Sequence, residues 1–367
     1  MTCITSLCSV RIRLSEIAER SGVSISTVSR VLNERPGVSP QARRQVLTAI
    51  DVLGYDRPVR LRPRTAGLVG LVLPELENPF FPRLAHHLEV SLARMGLSPV
   101  LCSQTLGGVN EDDCVAILLE HSVAGIVFVS GVHAVVDSDP ARYRRLMDLG
   151  LPIVLVNGAL AGLDAPSVST DDAAAVDLAV QHLEHMGHRR IGAALGQLRY
   201  LPAQRKRRAF VDAIERHGLL PDDLDIEDLS ESTTYSIQGG QLAAERLLDR
   251  GVTGIVCASD VMALGVVRSA RMRGLRIPED LSVIGCDDSQ MMEFVDPPLT
   301  TVRQPAEALA QAASQEIAEQ IAGSAPQAGE VLYRPELVVR GSTASAPRRS
   351  LSRPGPERLS PARRRSR

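Results

Sequence analysis

Apolar positions along this chain follow two rhythms, and the change between them falls between residues 56 and 66. In LSEIAERSGVSISTVSRVLN they fall at Leu14, Ile17 and Ala18, then Val23, then Val28, Val31 and Leu32. Spacings of three and four predict two amphipathic helices, with Gly22 at the break in the left-handed position that ends a helix. Ser24 stands where an N-cap would, with Thr27 three residues on. A third helix is expected from Ser39 to Leu53, with Ser39 as cap, Pro40 in its first turn and Val46, Ile50 and Leu53 inward.

From residue 66 the rhythm becomes short β-branched runs separated by amphipathic stretches. The runs are LVGLVLP (68–74), LSPVLC (97–102), AGIVFVS (124–130), LPIVLVN (151–157), IGAALG (191–196), TGIVCAS (253–259) and LSVIGCDD (281–288). Strands alternating with helices imply doubly wound parallel sheets, whose ligands bind outside the strands' carboxyl ends. There are enough units for two lobes with a cleft between them.

Charge sharpens this division. The whole chain carries a formal −2, but residues 1–65 hold 11 Arg against 5 acids and residues 343–367 hold 8 Arg against one Glu. The middle is therefore strongly acidic, and a basic head points to a polyanion partner. The basic tail, rich in Pro, Ser and Arg, is expected to be disordered, adding non-specific DNA affinity or nothing. Six cysteines at 3, 8, 102, 114, 257 and 286 show no metal-ligand spacing, so no metal and no cofactor is expected. No apolar run reaches the roughly 18 residues of a membrane span, and MTCITSLCS has no signal-peptide pattern. A cytoplasmic location follows, with residues 1–12 as a disordered leader.

Two short helices joined by a glycine turn form a helix-turn-helix, whose second helix enters the DNA major groove. Arg30 lies off its apolar stripe and can donate a bidentate pair to guanine. Ile25 and Ser26 share that face, while Ser24, Thr27 and Ser29 can reach phosphates; Asn33 closes the set.

EIAERSGVSISTVSRVLN followed by GVSPQARRQVLTAIDVLGY resembles the LacI/GalR family of bacterial repressors, and the resemblance runs to about residue 345. GLVLPEL, GVTG, PPLTTVRQP and ELVVRGSTASAPR resemble the streptomycete maltose-operon repressor type. The resemblance implies an all-α helix-turn-helix DNA-binding head (13–56), a basic hinge linker (57–65) and an α/β core of two Rossmann-like subdomains (66–342), a periplasmic-binding-protein-like fold. It divides the core into an N-subdomain of about 66–160 and 296–325 and a C-subdomain of about 161–295 and 326–342. Three crossovers join them near 158–165, 290–300 and 323–330. The linker RPVRLRPRT lacks the family's Ala-x-x-Leu and carries Pro58 and Pro63. Arg57, Arg60 and Arg62 make a basic strip there, with Leu61 as the one candidate wedge for the minor groove.

For the effector, an Asn beside two aromatics at a strand end suits a sugar, so Asn78, Phe80 and Phe81 are either ligand contacts or a hydrophobic plug. The resemblance adds Asn157; Asp171, as ligand or as a structural residue; Arg205 and Lys206; Tyr235; Ser259 and Asp260; and Asp287 and Gln304. It implies a homodimer on pseudo-palindromic double-stranded operator DNA, with helix 261–275 either at the dimer face or in the monomer core. The implied function is repression of carbohydrate genes under a small sugar, maltose-type favoured. Alternatives are a transport sugar-binding protein and a regulator answering a non-sugar metabolite. No G-x-S-x-G, P-loop or metal motif supports an enzyme, and no catalytic residue is named.

Overall fold

The structure, a computed structural model, describes residues 14–33, 35–53, 67–104 and 107–347. The expected leader, the linker with Arg57, Arg60, Leu61 and Arg62, and the tail beyond 347 lie outside the described residues.

The head is three helices around one small core. Helices α1 (Leu14–Ser21), α2 (Ile25–Leu32) and α3 (Pro40–Val52) bury Ile17, Ala18, Val28, Val31, Val46, Ala49 and Ile50. Gly22 has φ +67°, the left-handed turn that lets α2 start directly after α1. Leu53, expected in the core, is exposed, because α3 ends one residue before it and Ala49 takes the inward position.

Beyond the head are two six-stranded sheets. The first has β1 (Leu68–Leu73), β2 (Ser98–Ser103), β3 (Gly125–Val129), β4 (Ile153–Val156), β5 (Pro166–Thr170) and β11 (Gly329–Tyr333), in the order β11-β5-β4-β3-β1-β2. Every pairing in it is parallel. Alternate residues serve opposite faces. Val127 and Val129 face α4 (Phe80–Arg94) and α11 (Ala306–Ile321), while Ile126 and Phe128 face α5 (Glu111–Glu120) and α6 (Ala141–Asp148). Both faces are covered, which is why these strands read as unbroken apolar runs.

The second sheet has β6 (Ile191–Leu195), β7 (Ser230–Ser232), β8 (Gly254–Cys257), β9 (Ser282–Cys286), β10 (Thr300–Arg303) and β12 (Glu336–Val338), in the order β12-β10-β9-β8-β6-β7. Its helices include α7 (Asp172–His185), α8 (Leu201–Arg216), α9 (Ile237–Asp249) and α10 (Asp260–Met272). Helices α9 and α10 cross at backbone contact. A Cβ on Gly240 would stand 2.0 Å from the Met262 carbonyl oxygen, and one on Gly265 2.1 Å from that of Ile237. Only glycine fits at either position.

The chain divides into a first unit containing residues up to 175, 198–206 and 303–336, and a second containing 176–197, 207–302 and 337 onward. The expected subdomain boundaries are therefore corrected. Residues 161–175 and 326–336 belong to the first unit rather than the second, and 296–302 to the second rather than the first. The seven apolar runs all form strands, but β5, β7, β10, β11 and β12 carry Ser, Thr, Glu or edge positions and give no apolar run. Because β5 and β11 complete the first sheet and β10 joins the second, the chain changes unit later than 158–165, 290–300 and 323–330 imply.

The expectation of disorder from residue 343 is also corrected for its first residues. Ser342 and Thr343 are buried. His188 meets the Ala344 carbonyl at 3.0 Å, the Ala344 N–H donates to Ser282 at 3.1 Å, and the Ala346 N–H donates to the Met186 carbonyl at 2.8 Å. Polar pairing rather than apolar periodicity fixes this strap, so composition alone misses it. Among the described residues no helix is long and apolar enough to cross a membrane.

Candidate functional site

On the head, α2 presents one face outward. Ile25 is 52% exposed, and Ser26 and Arg30 are exposed beside it. Ser24 caps the helix, its hydroxyl accepting the Thr27 N–H at 3.2 Å and pairing with the Ser26 and Thr27 hydroxyls at 2.8 and 2.9 Å. Asn33 closes the other end, its amide donating to the Ser29 carbonyl at 2.8 Å. Ser24 and Asn33 thus hold the helix itself, while Ile25, Ser26 and Arg30 project from it. An exposed guanidinium one turn beyond two small exposed positions suits the base edges of a major groove.

In the first unit, the expected effector residues separate into two groups. Phe80 is buried in the core with Leu84, Leu88 and Leu309, so it is the plug; Phe81 lies edge-on to it at 5.5 Å between ring centroids and is partly buried. The Asn78 side-chain oxygen Oδ1 accepts the Phe80 N–H at 3.1 Å, just ahead of α4. Asp171 caps α7, accepting the Ala174 N–H at 2.9 Å, which favours its structural reading. Asn157 ends β4 with φ +62°.

Arg205, Lys206 and Gln304 meet at the carboxyl end of β5. Arg205 donates both arms of its fork to Glu330 at 2.8 and 2.6 Å, and Ser169 donates to the same carboxylate at 2.6 Å. Lys206 is paired with Asp172, both buried. Thr170 donates to the Gln304 side-chain oxygen at 2.7 Å. Burial pushes the Asp172 carboxyl up, against the pull of Lys206. Burial also acts to raise Glu330, but the hydrogen bonds from Arg205 and Ser169 outweigh it and hold it below the usual range.

A second network lies behind the β3 end. Glu111, 1% exposed, accepts from Tyr143 at 2.5 Å, from Arg142 at 2.9 Å and from the Val132 N–H at 2.8 Å. His133 meets the Val156 carbonyl at 3.1 Å through Nε2, and burial lowers its pKa. Sequence reasoning missed Glu330, Glu111 and His133, which no local motif marks. The run STDD at 169–172 was the available signal for Ser169 and Asp172.

In the second unit, Ser259 caps α10 and Asp260 is fully buried, accepting from Thr301 at 2.5 Å and from the Ser289 N–H at 2.7 Å. Burial pushes the Asp260 carboxyl up to about 6, despite those bonds. The Tyr235 ring lies against Gly196, at the end of β6. Asp287, buried with φ +127°, stands at the end of β9.

Known proteins share these features. The profile for "Bacterial regulatory proteins, lacI family" matches residues 13–57, and that for "Periplasmic binding protein-like domain" matches residues 180–343. The HTH-type transcriptional regulator MalR of Streptomyces coelicolor is 51% identical over 335 residues, covering 91% of this chain and 97% of its own. The HTH-type transcriptional regulator reg1 of Streptomyces lividans is 52% identical over 336 residues, with the same coverage. Among solved structures, a transcriptional regulator CelR–cellobiose complex matches with TM-score 0.67 and 28% identity, over 90% of this chain and 100% of that one. The lac repressor dimer bound to operator and the anti-inducer ONPF matches with TM-score 0.64 and 25% identity, over 91% and 99%.

Proposed function

Because this chain belongs to the LacI family of bacterial regulatory proteins, and so is a DNA-binding transcriptional regulator, we propose that it is a cytoplasmic repressor of carbohydrate uptake or utilisation genes, released or tightened on its operator by a small sugar, maltose type favoured. The observation that carries the DNA half is the outward face of α2, where Arg30, Ser26 and Ile25 stand exposed on a helix capped at both ends. Two such heads in a homodimer, the state named for the lac repressor structure, read two half-sites of a pseudo-palindrome. Arg57, Arg60, Leu61 and Arg62 are proposed to add contacts beside the heads.

The sugar half is supported by two things: the relatives, one of them solved with cellobiose, and the polar strand ends. Asn157, Phe81, Arg205, Lys206 and Gln304 in the first unit, and Tyr235 and Asp287 in the second, remain the candidate contacts. Hydroxyl-rich ligands need such groups, since buried polar atoms left without partners cost several kcal/mol. Effector control requires different affinity for the two conformations.

A mobility-shift titration on the protein's own promoter DNA, with a panel of sugars, tests both halves. Arg30→Ala is expected to lower the preference for operator over scrambled duplex by roughly 10- to 100-fold, the value of one bidentate guanine contact. Undiminished preference would remove α2 from its role. Binding untouched by every sugar would remove the effector reading alone.

A further inference from the structure

Around the carboxyl end of β5 and the first residues of β11 the first unit gathers two cations and two carboxylates, and each cation has its own carboxylate: Arg205 with Glu330, Lys206 with Asp172. Glu330 is held from two sides, by the Arg205 fork and by the Ser169 hydroxyl. His133 adds no charge. Its Nε2 faces a carbonyl and must carry the hydrogen, and burial keeps the ring neutral at neutral pH. Thr170 and Gln304 contribute uncharged donors and acceptors.

We infer that this charge-matched set restricts the effector to an unphosphorylated saccharide, and that Glu330 is the residue that turns the phosphorylated form away. The inference rests on the sugar-responsive reading above. Hydroxyls can accept from a guanidinium and donate to a carboxylate without changing the charge of the site. A phosphate adds about two negative charges. It must either take Arg205 from Glu330, leaving that carboxylate without its partner, or lie beside Glu330 and Asp172 unpaired. Both are unfavourable, because the Arg205 and Glu330 side chains are only 29% and 16% exposed and solvent screens their charges only in part. Glu330 rather than Asp172 sets the selectivity, because Arg205 is the fork-shaped cation that matches phosphate geometry. Removing the Glu330 charge frees that fork.

The test is isothermal titration of the full chain with maltose and cellobiose, each against its 6′-phosphate. The wild type is expected to bind a neutral disaccharide at least about tenfold more tightly than its phosphate, the scale of one partly screened charge contact. Glu330→Gln should shrink that ratio by about tenfold or invert it, while Glu330→Asp should keep it. Arg205→Gln tests the opposite direction if Glu330→Gln does not fold, because loss of the cation should widen the ratio. Equal binding of both forms by the wild type, or a ratio indifferent to Glu330→Gln, overturns the inference and leaves the sugar reading standing. If neither form binds any variant, the sugar reading falls and the inference with it.

Discussion

In the first unit, buried and half-buried carboxylates are answered by cations from distant parts of the chain: Glu330 by Arg205, Asp172 by Lys206, Glu111 by Arg142. In the second, Asp260 is answered by a hydroxyl and a backbone N–H, and Asp288 by Arg340 at 2.6 Å. Both sheets have six strands and are built mainly on parallel pairs, so architecture does not dictate this difference. A cation can hold a carboxylate below its usual range even when half buried, as at Glu330; neutral donors at Asp260 do not overcome burial. Glu330 and Asp260 should therefore respond to acid with opposite signs.

The largest expected effect comes from unpairing the first unit. Lys206→Ala leaves Asp172 buried without its cation and should cost about 3–5 kcal/mol in denaturant unfolding, as broken buried pairs do. A loss below 1 kcal/mol would show that water reaches Asp172 and that the contrast is overstated. Next is the pH response of Asp260. Its folded carboxyl titrates near 6 while an unfolded one titrates near 3.8. The folded state thus holds the extra proton between those values, and stability contributed by this group falls as pH rises from about 4 to 6. Asp260→Asn should flatten that part of the stability profile; an unchanged slope would assign it to another group.

The smallest effect belongs to Glu330, whose sign is reversed. Its depressed folded pKa gives stability above its unfolded value that is lost as pH falls through the folded one. Glu330→Gln should cost about 1 kcal/mol at pH 7, because the pair is partly exposed and solvent screens it. Equal stability of variant and wild type at pH 7 would mean that the pair shapes ligand choice without contributing to folding.

The head was the most legible part of the sequence, because its helices, Gly22 turn and Ser24 cap are local and its apolar spacing has one period. The central strands were legible for a similar reason: burial on both faces makes them continuous apolar runs. Strand β5, with Pro166, Ser167, Ser169 and Thr170 around one valine, gave no such run although all five of its residues are buried. That single omission displaced the first crossover and hid the charged cluster at the β5 end. Arg205 and Lys206 were visible as a basic run. Glu330, the partner of Arg205, lies 125 residues from it, and only tertiary structure joins them. Asp171 and Ser259 were found as polar residues at strand ends, but their local sequence does not show that each side chain caps a helix.

The strap at 340–346 has a consequence for how the protein is made. Ser342 accepts the Thr300 N–H at 2.8 Å and donates to the Val283 carbonyl at 2.6 Å, so two interior strands wait for a partner synthesised after every strand of both sheets. The first unit likewise lacks β11 until residue 333 emerges. Vectorial synthesis therefore completes neither unit before the other is nearly done. A nascent chain halted ahead of Arg340 would keep open the edges on which chaperones act.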